Sequence, residues 1–383
     1  MMRKKIALPT YANDIVGEIK RFDERDTTFA VHDLYRYYGE QSALFNEYFS
    51  SHSDLRKFYE LQDAKLNLGA TGKNDAPMFA AQFWALRMVS MERFVEGDPA
   101  LRKTKMDPTR ASEKIKRIGK FLGADLIGIA ALKQEWVYSH VGSTNGDQPG
   151  FNVRGTAIDL STHTSAITIG IHMDYDLMQY SPHFPELLAT ARGYTSTAWV
   201  SIQLAAMLRQ WGYSARAHHF GNYQVLPVPI AVDCGLGELS RAGYLLTKEF
   251  GLGLRLAVIT TDMPIAYDVP VDIGVQSFCE QCELCARYCP SKAIPHGPKQ
   301  EFNGVMKWKL DEKKCYSYWA VNQTDCGMCM SVCPWTKPPT LFHKTMSKFA
   351  SIKGPHQRWM AWADDLVYHN AKPKMKAADF MDC

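Results

Sequence analysis

The stretch Cys279-Glu280-Gln281-Cys282-Glu283-Leu284-Cys285-Ala286-Arg287-Tyr288-Cys289-Pro290 decides how the C-terminal part of this chain must fold. Thiolates at 279, 282 and 285 can converge from one loop on a single cubane, and C-x2-C-x2-C-x3-C-P is the spacing of a [4Fe–4S] cluster run. The cysteine before the proline is carried away by the turn and reaches a second cluster. A partner run follows, Cys315-x10-Cys326-x2-Cys329-x3-Cys333-Pro334, which stretches only the first interval. The spacing therefore assigns Cys279, Cys282, Cys285 and Cys333 to one [4Fe–4S] cluster, and Cys289, Cys315, Cys326 and Cys329 to the other. Zinc pairs rarely double a C-x2-C-x3-C-P pattern. A disulfide framework is normally short and cysteine-dense throughout, whereas the first 233 residues here contain no cysteine. Cys234 reads as a small buried apolar residue, and Cys383 has no assigned role.

Upstream of the cysteines, helix and strand signals alternate. Asp107-Pro108 offers an N-cap residue followed by proline at the first helical position. Ile115, Ile118 and Leu122 then mark one helical face, and Gly123 ends it. Residues 124–130 and 166–171 read as strands. Tyr194 precedes Thr195 and Ser196, residues of capping type, so a helix is expected from there through Val200, Leu204, Leu208 and Trp211 to Gly212. Trp199, Met207 and Trp211 read as core. Phe220 to Gly243 is rich in Gly and Pro and reads as loop, and Arg255 to Thr260 as a strand. The pattern is α+β or α/β.

Residues 1–106 are polar and aromatic-rich. A loop is expected over 63–75 and a helix over 74–93 carrying Phe79, Phe83, Trp84, Leu86 and Met88. The chain is thus expected to divide into an N-terminal segment covering the core (1–106), a core (107–270), a cysteine module (271–343) and a basic C-terminal tail (344–383) with Lys344, Lys348, Lys353, Lys372, Lys374 and Lys376.

Composition narrows the function classes. The 383 residues are 46% hydrophobic and 22% charged, with a formal charge of only +4, so the chain is not built mainly to hold nucleic acid. It has no run of 18 apolar residues, and a transmembrane helix is not expected. The start, Met1 to Pro9, has neither an apolar signal core nor a twin-Arg pair. That start reads as cytoplasmic, or as a mature form whose leader was removed.

Further stretches carry a specific resemblance: Tyr194 with its apolar helix, Arg209-Gln210-Trp211-Gly212-Tyr213-Ser214-Ala215, Cys234 to Gly243, Thr261-Asp262-Met263-Pro264, Phe278-Cys279, Cys315-Tyr316-Ser317-Tyr318-Trp319 and Cys333-Pro334-Trp335-Thr336-Lys337. Over roughly 110–343 the chain resembles the cobalamin-dependent reductive dehalogenases, as a leader-less or non-exported member. The resemblance implies an α+β fold with a nitroreductase-like cobalamin-binding core and a C-terminal two-cluster ferredoxin-like domain. It implies a corrinoid without a histidine below cobalt, in keeping with the absence of a D-x-H-x-x-G signature. The loops 220–243 and 173–180 are then candidates for corrinoid contact, with Met173, His218, His219, Gly235 and Gly237 singled out.

The resemblance also implies a catalytic set. Tyr194 matches the proton donor, Arg255 the cation beside it, and Asn222 the residue touching substrate or the phenol. A free tyrosine titrates near 10. A neighbouring guanidinium lowers that value and stabilises the phenolate left after proton donation. Arg241 and Arg192 are rival cations. The implied substrate is a small organohalide and the implied partner a low-potential electron donor such as ferredoxin or flavodoxin. Two other readings stand beside this one: an epoxyqueuosine-reductase-like cobalamin enzyme acting on tRNA, and a non-catalytic iron–sulfur electron carrier.

Overall fold

The computed structural model describes residues 4–66, 76–142, 151–338 and 340–368. In chain order the elements that position the site are α1 (Ala76–Val89), α2 (Pro108–Phe121), β1 (Leu126–Ala131), β2 (Ser165–His172), α3 (Phe184–Gln210), β3 (Ala215–His218), α4 (Pro227–Asp233), β4 (Leu254–Thr261) and α5 (Val275–Cys282). Two more, α6 (Leu341–Ala350) and α7 (His356–Tyr368), follow the cysteine module.

The four strands form an antiparallel sheet in the order β1-β2-β4-β3, with Ile127 opposite Ile169, Ile169 opposite Ala257 and Ala217 opposite Ile259. Antiparallel sheets commonly leave one face in water; here both are covered. Ile167, Ile169, Ala257 and Ile259 pack against Ala198, Ile202, Ala205 and Leu208 of α3. The alternate residues Ala166, Leu256 and Val258 pack on Ile230, Ala231 and Val232 of α4 and on Trp136 and Val137. This is why the strands read as unbroken apolar runs. Ile167, Ile169 and Ile259 are fully buried, each contributing about 2 kcal/mol.

Several expectations hold. Asp107 caps α2, accepting from the Arg110 N–H at 3.0 Å. Gly123 and Gly212 adopt φ of +108° and +84°. Cys234 is buried on the α4 side, where burial pushes its thiol up to about 12.

Others are corrected. Tyr194 does not open a helix: α3 starts at Phe184 with Pro185 in its first turn, and Tyr194 lies mid-helix. Phe184, Leu187 and Leu188 are buried and anchor the earlier turns. Thr195 and Thr197 bond backward, to the carbonyls of Ala191 and Gly193 at 3.0 Å each, so they do not cap. The expected loop 220–243 contains α4 and the short strand Glu238–Leu239. Trp199 is exposed. Residues 63–65 close a helix, and 67–75 of the expected loop lie outside the described residues. The helix expected over 74–93 is α1; its Phe83 and Leu86 face inward, but Trp84 and Met88 face out.

The segment read as a tail is in part a brace. α7 packs on α5 through fully buried Gln357, which donates to the Ala350 carbonyl at 2.8 Å and accepts from Gln281 at 2.9 Å. Lys372, Lys374, Lys376 and Cys383 lie outside the described residues.

Candidate active site

Cys279, Cys282, Cys285 and Cys333 line one cavity together with Phe278, Arg241 and Trp335. Cys289, Cys315 and Cys326 lie close enough to Cys329 for each to perturb its ionisation. None of the eight forms a disulfide. Burial pushes Cys279 up to about 12 and Cys315 and Cys333 up to about 11, so at neutral pH their thiolates need a positive metal core beside them. Among the described residues no three His, Cys, Asp or Glu converge on a single-ion site. Thiols ringing a cavity suit a multi-iron cubane better than one tetrahedral zinc. Two donors fit sulfide or thiolate acceptors: the buried Trp335 indole N–H has no partner among the described residues, and the Ala293 N–H already points at the Cys289 sulfur, 3.3 Å away.

Arg241, 1% exposed, is fixed by the module. Its Nε donates to the Cys279 carbonyl at 3.0 Å, and its Nη1 to the carbonyls of Pro295 and Gly297 at 2.9 Å. Its Nη2 pairs with Glu283 at 3.2 Å. Arg192 is exposed. Neither rival faces the tyrosine.

Arg255 does. It is the second residue of β4, opposite Ile171. Its guanidinium carbon lies 4.8 Å from the centre of the Tyr194 ring, within the range of a cation–π contact. Phe220 also packs on that ring, centroid to centroid 4.5 Å. Arg255 Nη2 donates to Thr190 Oγ1 at 2.7 Å, and Nη1 lies 3.9 Å from the sulfur of Met330, next to Cys329. Burial alone would lower the Arg255 pKa; the Tyr194 phenol and the carboxyls of Glu186 and Asp325 outweigh it and raise it. The site therefore holds a permanent cation against a phenol, beside the second group of cysteines.

Asn222 is tied elsewhere. Its Oδ1 accepts from Asn152 at 2.7 Å and its Nδ2 donates to the Ser90 carbonyl at 3.2 Å. Its backbone N–H closes a turn on His219, with Gly221 at φ +84°. Both ends of its carboxamide are thus occupied by protein rather than by the phenol of Tyr194.

The two histidines are not solvated loop residues. His218 is buried in β3, receiving Arg216 Nη1 on Nδ1 at 2.9 Å and contacting Thr260 Oγ1 through Nε2 at 2.9 Å. Nδ1 accepts, so Nε2 carries the proton. Burial, then Arg216, pushes its pKa far down. His219 is fully buried, and burial pushes it down to about 4, so its ring is neutral. Met173 is buried beneath the module.

Gly235 and Gly237 face protein backbone. A Cβ on either would stand 2.2 Å from a carbonyl oxygen, of Val269 and Leu246 respectively, and Gly235 has φ +69°. Close backbone packing, not approach to a ligand, accounts for both. Gly235→Ala is accordingly expected to destabilise the protein by about 2–4 kcal/mol. Thermal unfolding checks this, and an unchanged midpoint would refute it. By contrast, Gln179, near the end of the 173–180 stretch, has a buried amide nitrogen without a partner among the described residues, which fits the amide-bearing rim of a corrinoid.

Thr190 and Gly193, which touch Arg255, escaped the reading of the sequence. Thr190 lies one helical turn before Tyr194, and Pro185 at a first-turn position was the signal that α3 began early enough to include both.

Residues 278–337 match the 4Fe-4S dicluster domain. Over 293 residues, 70% of this chain and 58% of the relative, the sequence is 34% identical to a tetrachloroethene reductive dehalogenase of Sulfurospirillum multivorans. A solved reductive dehalogenase, described as suggesting a mechanism for B12-dependent dehalogenation, superposes with a TM-score of 0.77 at 28% identity, covering 96% of this chain and 49% of that one. Similarity to an epoxyqueuosine reductase of Lactococcus garvieae is shorter, 29% over 143 residues, 34% of this chain and 38% of the relative. The chain spans about half the length of the dehalogenases it matches.

Proposed function

The chain belongs to the reductive dehalogenase family, and from that premise we propose that it is an oxidoreductase that replaces the halogen of a small organohalide by hydrogen. The balance is R–X plus two electrons and one proton giving R–H and halide. The observation that carries the reading is the Arg255 guanidinium held 4.8 Å above the ring of Tyr194, beside the cysteine loops.

In this reading Tyr194 supplies the proton and Arg255 stabilises the phenolate that remains. Arginine suits the task because it keeps its charge when buried. Phe220 covers the ring and limits water near the reacting hydroxyl. When bound, a corrinoid supplies the reducing cobalt and two [4Fe–4S] clusters supply its electrons. Gln179, Met173 and His219 are the residues proposed to border the corrinoid, and the two cysteine sets to bind the clusters. Asn222 acts through the turn that carries Phe220. The proposed electron source is a low-potential carrier of the ferredoxin or flavodoxin type. Among the described residues no helix is long and apolar enough to cross a membrane.

The test is anaerobic loading with cobalamin, iron and sulfide, then halide release from tetrachloroethene and from an ortho-bromophenol under a low-potential reductant. Halide release with bound cobalt supports the reading. Cobalt bound without halide release from any organohalide, together with turnover of epoxyqueuosine-containing tRNA, would replace it.

A further inference from the structure

α3 presents Glu186, Thr190 and Tyr194 one turn apart, and residues spaced four along a helix share a face. Arg255 approaches that face from β4. Its Nη2 donates to Thr190 Oγ1 at 2.7 Å, and the Thr190 hydroxyl donates onward to Glu186 Oε1 at 3.0 Å. Giving its proton to a fully buried carboxyl turns the hydroxyl's lone pairs toward the guanidinium. The backbone beside Thr190 is shaped for the same contact. At Gly193 a Cβ would stand 2.7 Å from Arg255 Cγ and 3.3 Å from its Cβ, so any other residue would push the arginine off the helix. Arg255 Nε has no partner among the described residues. Thr190 is thus its one strong hydrogen-bond anchor among the described residues, the sulfur of Met330 at 3.9 Å being a weak acceptor.

We propose that Thr190, with Gly193 beside it, is the positioning residue that holds the Arg255 guanidinium over the ring of Tyr194. This rests on the reading of Tyr194 as proton donor but assigns roles that reading does not contain. Without the hydroxyl the long arginine side chain loses its register, and the phenolate loses its nearest cation. The groups facing the phenol are few. Arg255 comes from β4, and Tyr223 and Tyr244 come from the segments after β3 and α4. Phe83 of α1 packs on Phe220 rather than on the phenol, and Arg87 of α1 is exposed. Arg255 is the only cation among these described residues that faces the phenol, so its displacement takes away the positive charge beside the hydroxyl.

The test compares Thr190→Val, Thr190→Ser, Gly193→Ala and Tyr194→Phe in protein loaded with cobalamin and clusters. Turnover is measured on whichever organohalide the parent consumes. In parallel, 3-fluorotyrosine is incorporated and the resonance missing from Tyr194→Phe is followed by fluorine NMR without substrate. A hydrogen bond to a charged group is worth a ten- to hundred-fold effect, roughly. Thr190→Val is therefore expected to lower kcat by about that factor with KM little changed, and to displace the Tyr194 fluorine resonance as the guanidinium leaves the ring. Thr190→Ser should restore both, and Gly193→Ala should resemble Thr190→Val. A resonance that stays in place in the valine variant, or valine and serine variants equally impaired, would reduce Thr190 to a packing residue. Full turnover in Tyr194→Phe would overturn the proton-donor reading instead, while the fluorine resonance would still decide whether Thr190 aims Arg255 at the phenol.

Discussion

Tyr194→Phe is expected to lose about 10²- to 10⁴-fold in turnover, the usual contribution of a positioned general acid, with bound cobalt and iron unchanged. The ring is retained, so its packing on Phe220 and under Arg255 survives. What disappears is the hydroxyl proposed as the proton source, beside the guanidinium. The companion change Arg255→Leu should cost turnover as well, and it removes a buried cation whose partners are Thr190 and, at longer range, Glu186 and Asp325. Some loss of stability should accompany it, because those partners are left unpaired. The phenylalanine variant is therefore the cleaner experiment. Halide release at the parent rate with the hydroxyl gone would show that the proton comes from elsewhere.

The second large effect concerns the crossed assignment of cysteines. Cys333→Ala should empty the cage formed with Cys279, Cys282 and Cys285, and iron should fall from about eight atoms per chain toward about four. Cys289→Ala should empty the other cage, the one near Arg255 and Met330. The two variants should lose different paramagnetic signals on reduction. If Cys333→Ala and Cys289→Ala extinguish signals opposite to this assignment, each run binds its own cluster and the crossing is wrong.

The iron–sulfur character of the C-terminal part was legible because ligand spacing is a local property of short loops, and residues 278–337 match a 4Fe-4S dicluster domain. The two long strands were legible because both sheet faces are covered, leaving uninterrupted apolar runs such as 165–171. The start of α3 was not, because Thr195 and Ser196 look like caps until the buried turns from Phe184 are seen to continue through them. Tyr194 and Arg255 were reached through resemblance and are brought into contact by the structure; Asn222 was reached the same way, and its carboxamide is held by Asn152 and Ser90. Gly235 and Gly237 show the opposite limit. A glycine announces that something comes close, but only the fold says that it is the chain itself.

Arg241 belongs to the segment between α4 and β4, yet the hydrogen bonds of its guanidinium end on the stretch from Cys279 to Gly297. If the proposed clusters are what holds that stretch in place, their loss would strand the guanidinium without its acceptors, and maturation of the polypeptide would be tied to the supply of iron.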